Sequence, residues 1–217
     1  MNMMSNIIRF SKRKGLLSMQ NYVITITRQF GSRGRDIGIA TAKKLGIPLY
    51  DRNVLEKEAE EIDSTLHSLV EFSKNGMSSS GYYKMAYPLG IGSSLKKDRM
   101  FEVQSKLVLQ HAETENCVII GRCASAILRG AGEHPLSVFI YADPADRTRR
   151  IAARNGLDER RAMHRAQKID RMRKHHFDFY ADTLWGEPAS YDLMLSSSEY
   201  GITGAAEVIA AAARAGK

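Results

Sequence analysis

A chain of 217 residues with 43% hydrophobic and 26% charged residues has the length and composition of one large globular domain, or two small ones, with room for a sizeable core. Those values exclude disordered, collagen-like and disulfide-stapled architectures, and no apolar run approaches the roughly 18 residues that cross a bilayer as a helix. The formal net charge of +8, from 32 Lys+Arg against 24 Asp+Glu, directs attention to polyanions.

That charge is unevenly spread. Residues 1–18 carry Arg9, Lys12, Arg13 and Lys14 and no acid. The segment 147–176 carries eleven Lys+Arg against Asp158, Glu159 and Asp170, which leaves the rest of the chain at −4. Cys117 and Cys123 are too few to staple a chain of this length, so a reducing cytoplasm is the expected compartment. Residues 1–19 lack the shape of a signal peptide and are expected to form a disordered basic arm, with 20–217 as the domain proper.

From Tyr22 the chain alternates short apolar runs with longer amphipathic ones. Tyr22–Thr27 is β-branched and aromatic and predicts a first strand. A Gly-rich turn follows, then a helix over Ile39–Leu45 that Gly46 ends. Ile47–Tyr50 predicts a second strand and Asn53–Phe72 an acidic helix. Ser73–Lys97, rich in Gly and Ser with three tyrosines, is longer than a connection needs and reads as a functional insertion.

A helix over Asp98–Thr114 precedes a strand at Cys117–Ile120 and a helix at Ala124–Arg129. The next strand spans Ser137–Ala142, and Asp143-Pro144 starts a helix that Asn155-Gly156 stops. Asp158 caps a further helix running to about His176. Tyr191–Leu195 is the last strand and Thr203–Ala213 an Ala-rich closing helix. Strands apolar at consecutive positions are buried on both faces, which predicts a doubly wound α/β domain on a parallel sheet.

The turn Arg28-Gln-Phe-Gly-Ser-Arg-Gly-Arg-Asp-Ile-Gly38 joins a strand to a helix N-terminus, the geometry that cradles phosphate with backbone N–H groups and the helix dipole. Gly31 and Gly34 supply flexibility and Arg33 and Arg35 add charge. Against the Walker pattern G-x-x-x-x-G-K-[ST], Gly34 fits the second glycine. Gln29, Arg35 and Asp36 stand where the pattern has Gly, Lys and Ser or Thr. Arg35 is a bulkier but permanent cation, and Asp36 offers Mg²⁺ a carboxylate. Asp51 reads equally as an N-cap or as a group facing a substrate. In the 158–176 helix Arg161, Arg165 and Lys168 recur at i, i+4 and i+7, with Arg171 close to the same stripe.

Six collinear blocks carry a resemblance: ITITRQFGSRGRDIG (24–38), LGIPLYDRNVL (45–55), CVIIGRCASAIL (117–128), FIYADPADRTRRI (139–151), KIDRMRKHHFDFYADTLWGEPASYDLML (168–195) and GITGAAEVI (201–209). Together they resemble the cytidylate kinase-like family, a divergent branch of P-loop nucleoside monophosphate kinases. The resemblance implies a doubly wound five-stranded parallel sheet with an acceptor-binding insertion (about 73–97) and an Arg-rich helical lid (about 157–180). It implies ATP-dependent phosphoryl transfer, with Mg²⁺, to a small acceptor, a nucleoside monophosphate first among them. Gly31, Ser32, Arg33, Gly34, Arg35 and Asp36 would hold the ATP phosphates, with Asp36 at the metal. Asp51 and Arg122 would face the acceptor, and Arg35, Arg122, Arg171 and Arg173 would be catalytic.

In cytidylate kinases proper, aspartates flank the Gly-Arg pair. Here Ile120 and Cys123 flank Gly121-Arg122. Two further readings therefore stand beside the first: a kinase of a different small acceptor, and a non-catalytic nucleotide-binding regulator with a degenerate loop. Nucleic acid is the weaker partner and no membrane is expected. His164, His175 and His176 read as surface or packing residues, since adjacent histidines face different ways.

Overall fold

The structure, a computed structural model, describes residues 21–63 and 94–216. The expected N-terminal arm and most of the expected insertion lie outside the described residues. Five strands form one sheet: β1 (Val23–Arg28), β2 (Leu49–Tyr50), β3 (Cys117–Ile120), β4 (Leu136–Tyr141) and β5 (Leu193–Ser196). Every pairing is parallel and the order is β2-β3-β1-β4-β5, so β1 lies at the centre with one half of the sheet on each side.

Helices cover both faces, as consecutive apolar residues require. Ile24, Ile26, Val118, Ile120, Val138 and Ile140 turn toward α1 (Gly34–Leu45) and α7 (Ser197–Ala215), meeting Ile37, Ala42, Ala205 and Ile209. The alternate residues Val23, Cys117 and Ile119 turn toward α2 (Arg52–Ile62), α3 (Ser94–Thr114) and α4 (Ala124–Gly130). Leu55, Phe101, Leu107, Val108, Ile127 and Leu128 fill that side. Outside both layers, α5 (Pro144–Asn155) and α6 (Glu159–Tyr180) pack on each other through Ile151, Ala162 and Ala166.

The termini follow local chemistry. Asp143 caps α5 by accepting from Ala145 N–H at 2.8 Å, with Pro144 in the first turn, and Gly156 at φ +61° ends it. Asp158 caps α6 through Arg161 N–H at 2.8 Å. Several boundaries differ from the sequence reading. Helix α1 begins at Gly34 rather than Ile39, because the Gly-rich turn itself winds into its first turn. Strand β2 is confined to Leu49–Tyr50, since Pro48 has no N–H to give a ladder.

Helix α2 is described to Ile62, and the rest of the expected 53–72 helix lies outside the described residues. Strand β5 starts at Leu193 because a 3₁₀ turn at Pro188–Ser190 and the bonds of Asp192 to Ser137 occupy the residues before it. Helix α7 begins at Ser197 but breaks at Gly201, whose φ +62° and ψ −165° only glycine adopts readily. The Ala-rich helix is therefore preceded by a separate turn.

Candidate functional site

The loop between β1 and α1 is gripped from behind. Gln29 N–H donates to Ile140 C=O at 3.0 Å, and its side-chain oxygen accepts from Ala142 N–H at 3.3 Å. Phe30 is held at both backbone ends: its N–H donates to Asp170 Oδ1 at 2.7 Å and its C=O accepts from Arg147 Nε at 2.8 Å. Arg147 and Asp170 form an ion pair with each other, so one buried pair from α5 and α6 fixes one loop residue. Arg150 donates to Gly31 C=O at 3.3 Å, and Arg173 donates to Arg28 C=O at 2.9 Å while its guanidinium lies 5.6 Å from the Phe30 ring.

The front of the loop is open by contrast. Gly31 takes φ +80°, and a Cβ there would meet Ile151 at 2.9 Å. Ser32 is buried with its hydroxyl donating to Gln29 C=O at 2.9 Å. Arg33, the N-cap, is left-handed at φ 57° and makes no side-chain cap bond. The first-turn N–H groups of α1 therefore have no cap from the N-cap side chain, and the acid in that turn is Asp36.

At the end of β3, Gly121, Arg122 and Cys123 all take positive φ (76°, 56° and 55°) as the chain turns into α4. Left-handed backbone costs a non-glycine residue about 1 kcal/mol or more, so the surroundings must impose it. They include Glu56, only 3% exposed, whose Oε1 accepts from Arg52 Nε at 2.9 Å and from Arg122. Among the described residues the buried Nε of Arg122 has no hydrogen-bond partner.

Between these parts lies a cavity of about 320 Å³. Arg28, Arg52 and Arg122 reach it from the sheet side, and Arg154, Arg165, Lys168 and Arg173 from α5 and α6. No Asp or Glu among the described residues lines it. Phe30, Phe177 and Trp185 supply an aromatic wall. The arrangement suits a ligand with a flat apolar part and a dense negative charge. Cys123 and His176 also line it. Burial pushes the Cys123 thiol up to about 12, which leaves it protonated and inert. Burial, with Arg122 and His175 nearby, pulls His176 down to about 4 and keeps it neutral.

Of the cations singled out in the sequence, Arg122, Arg165, Lys168 and Arg173 meet in this cavity. Gly31–Asp36 lie on the loop and first turn of α1 behind it, and Asp36 is exposed at the third position of that helix. Arg35 turns away to pair with Asp51 at 2.8 Å, its side chain 58% exposed. Asp51 caps α2 with its other oxygen, accepting from Asn53 N–H at 2.9 Å and Val54 N–H at 3.2 Å. Burial pushes its carboxyl up, but the bonds from Arg35, Val54 and Asn53 outweigh burial and lower it overall.

Arg171 is exposed and does not line the cavity. At about 100° per residue, Arg165, Ile169, Met172 and His176 form the inward stripe, and Arg171 falls more than roughly a third of a turn from its midline. Arg161 is likewise spent on Asp158 at 3.2 Å. The sequence reading gave no role to Arg28, Glu56, Arg147, Arg154 and Asp170. The i,i+4 spacing of Arg52 and Glu56 was a local signal; the others are joined only by the fold. Among the described residues no three His, Cys, Asp or Glu side chains gather as a metal site, and no helix is long and apolar enough to cross a membrane.

The fold has parallels among solved structures. A protein of uncharacterized role from Eubacterium ventriosum superposes with a TM-score of 0.68 at 26% identity, covering 89% of this chain and 99% of that one. Shikimate kinase from Bacteroides thetaiotaomicron superposes at 0.50 with 17% identity, over 89% of this chain and 98% of its own, and shares the fold. The architecture is that of the P-loop kinases. Residues 23–199 match the cytidylate kinase-like family, and the chain belongs to it. A cytidylate kinase of Methanoculleus marisnigri is 30% identical over 115 residues, 53% of this chain and 61% of that protein, so the match spans about three fifths of the relative's length.

Proposed function

We propose that the protein transfers the terminal phosphoryl group of ATP to a small phosphorylated acceptor, with a nucleoside monophosphate as the best fit. The observation that carries this is the cavity: seven cations and no carboxylate among the described lining residues, facing aromatic side chains, beside a helix N-terminus that its N-cap side chain leaves open. Phosphoryl transfer asks chiefly for positioning and for positive charge around the equatorial oxygens.

The donor phosphates fit the loop from Gly31 to Asp36, with Arg33 lending charge. Mg²⁺ typically takes one or two carboxylates and completes its shell with water and phosphate oxygens, and Asp36 would be the protein ligand here. When bound, the ion would supply charge neutralisation between the phosphates. Arg122, braced by Glu56, lines the cavity and would face the acceptor. Arg173 would close the helical wall, while Arg171 would join only if α6 moved.

A hydroxyl acceptor needs a group to take its proton, whereas a phosphate oxygen is already ionised at neutral pH. The cavity offers no good base among the described residues: His176 is held neutral, with its pKa near 4. Asp51 is committed to Arg35 and the cap of α2. This favours a monophosphate over an alcohol. The engagement of Arg35 with Asp51 also supports a second reading, a nucleotide-binding regulator without turnover. A coupled assay with ATP and GTP over nucleoside monophosphates and hydroxyl acceptors tests both. Turnover with a monophosphate is expected. ATP binding without turnover on any acceptor would leave only the regulator.

A further inference from the structure

The Walker lysine reaches back over the loop to the β- and γ-phosphates, and a chain without it needs that cation from elsewhere. Arg35 holds the aligned position, yet its side chain is more than half exposed, is bonded to Asp51 and takes no part in the cavity. Arg28 is placed differently. It is the last residue of β1, it lines the cavity, and its backbone C=O is anchored by Arg173.

Its side chain runs through a channel that two glycines keep open. A Cβ at Gly34, the first residue of α1, would stand 2.6 Å from the Cβ and 2.9 Å from the Cγ of Arg28. A Cβ at Gly121 would collide with its Nη1. The guanidinium therefore emerges between the start of α1 and the turn carrying Arg122. That is the point where a donor on the loop and an acceptor in the cavity would meet.

We propose that Arg28, not Arg35, supplies the cation that the Walker pattern takes from lysine. This rests on the phosphotransfer reading above and names a catalytic residue within it. As the bond between the terminal phosphorus and its bridging oxygen breaks, a bond forms from an ionised acceptor oxygen to that phosphorus. The donor leaves as the nucleoside diphosphate. The Arg28 guanidinium holds the equatorial oxygens through the exchange, and Arg35 locks the loop to the start of α2.

Calorimetric titration of the full chain with inorganic tripolyphosphate and with Mg²⁺-ATP tests this without needing the acceptor. Arg28→Met is expected to weaken tripolyphosphate binding at least about thirtyfold, and Arg35→Met less than about threefold. Equal losses, or a larger loss at Arg35, overturn the assignment. Should Arg28→Met fail to fold by circular dichroism, Arg28→Lys against Arg35→Lys decides, since lysine fills the channel but cannot bind oxygens as a fork. The larger loss must then fall on Arg28→Lys, and any other result overturns the proposal. A wild-type chain that binds neither probe would instead remove the phosphotransfer reading itself, and this assignment with it.

Discussion

Glu56 shows how a single residue is fixed by what surrounds it. Its carboxylate is buried between Arg52 and Arg122, and two partly buried guanidinium groups bond to it. Removing one partner of a buried ion pair strands the other charge, at a cost of about 3–5 kcal/mol. Glu56→Ala is therefore expected to lower the urea midpoint by a corresponding amount, and Glu56→Gln by clearly less. Equal stability for Glu56→Ala and wild type would show that Arg122 finds another partner. Arg171 and Arg173 provide the opposite contrast, two residues apart. Arg171→Ala, at an exposed position, is expected to stay within about 0.5 kcal/mol of wild type. Arg173→Ala removes a bond to Arg28 C=O and a contact on Phe30, and is expected to cost about 1–2 kcal/mol in the same measurement. His176 adds a pH term. Its pKa falls from 6.5 to about 4 on folding, so the unfolded chain binds the extra proton between those values. Stability contributed by the neutral ring is whole above pH 6.5 and declines as pH drops toward 4. Thermal melts across that window are expected to lose part of this slope in His176→Gln.

At the scale of elements, helix α6 does two things. Its first half carries Arg165 and Lys168 into the cavity, while Asp170 and Arg173 bind it to the loop after β1. A lid closing over a nucleotide would pivot about that clamp, with the residues before Asp170 as the moving part. Asp170→Asn keeps a side-chain oxygen for Phe30 N–H but loses the ion pair with Arg147. Looser attachment is expected to show as faster hydrogen exchange at the N–H groups of residues 28–33, and unchanged exchange would show that the clamp is dispensable. Helix α2 offers a cleaner separation of cap from charge. Asp51→Asn keeps an N-cap of equal quality and loses only a half-exposed ion pair, so its expected cost is under about 1 kcal/mol. Asp51→Ala loses both and is expected to cost about 1–2 kcal/mol in denaturant titration.

Across the whole molecule, the parallel sheet brings one end of every strand to the same side, and the central position of β1 puts its loop between the two halves. Ligands of open α/β sheets sit outside the carboxyl ends of the strands where the order reverses, and the cavity lies there. The net charge of +8 is organised by this layout. Part of the basic segment 147–176 is consumed internally by Asp170 and Asp146, and Arg154, Arg165, Lys168 and Arg173 are delivered to one concave surface. Binding of ATP to that surface is expected to weaken by about several-fold between roughly 50 and 300 mM salt, because added ions screen the attraction between the cations and the phosphates. Salt-independent binding would place the nucleotide away from the cations.

The strands and helices were legible along the chain because burial on both faces leaves a continuous apolar run, and because Asp143, Asp158, Gly46 and Gly156 mark helix ends through local hydrogen bonds and backbone freedom. The Gly-rich turn after the first strand was legible for the same reason. Side-chain direction was not. Arg35 matched the Walker lysine by position, yet it bonds to Asp51, sixteen residues on, where β2 gives way to α2. Arg28 looked like the end of a strand until Gly34 and Gly121, from two other elements, were seen to flank it. Asp170 reaches Phe30 across 140 residues of chain. Sequence by itself determined the order of elements, the parallel sheet and the place of the Gly-rich loop, because these depend on local pattern and covalent geometry. Which cations share the cavity, and which are spent on carboxylates, was decided only by tertiary structure, since Coulomb and hydrogen-bond energies depend on distance in space and not along the chain.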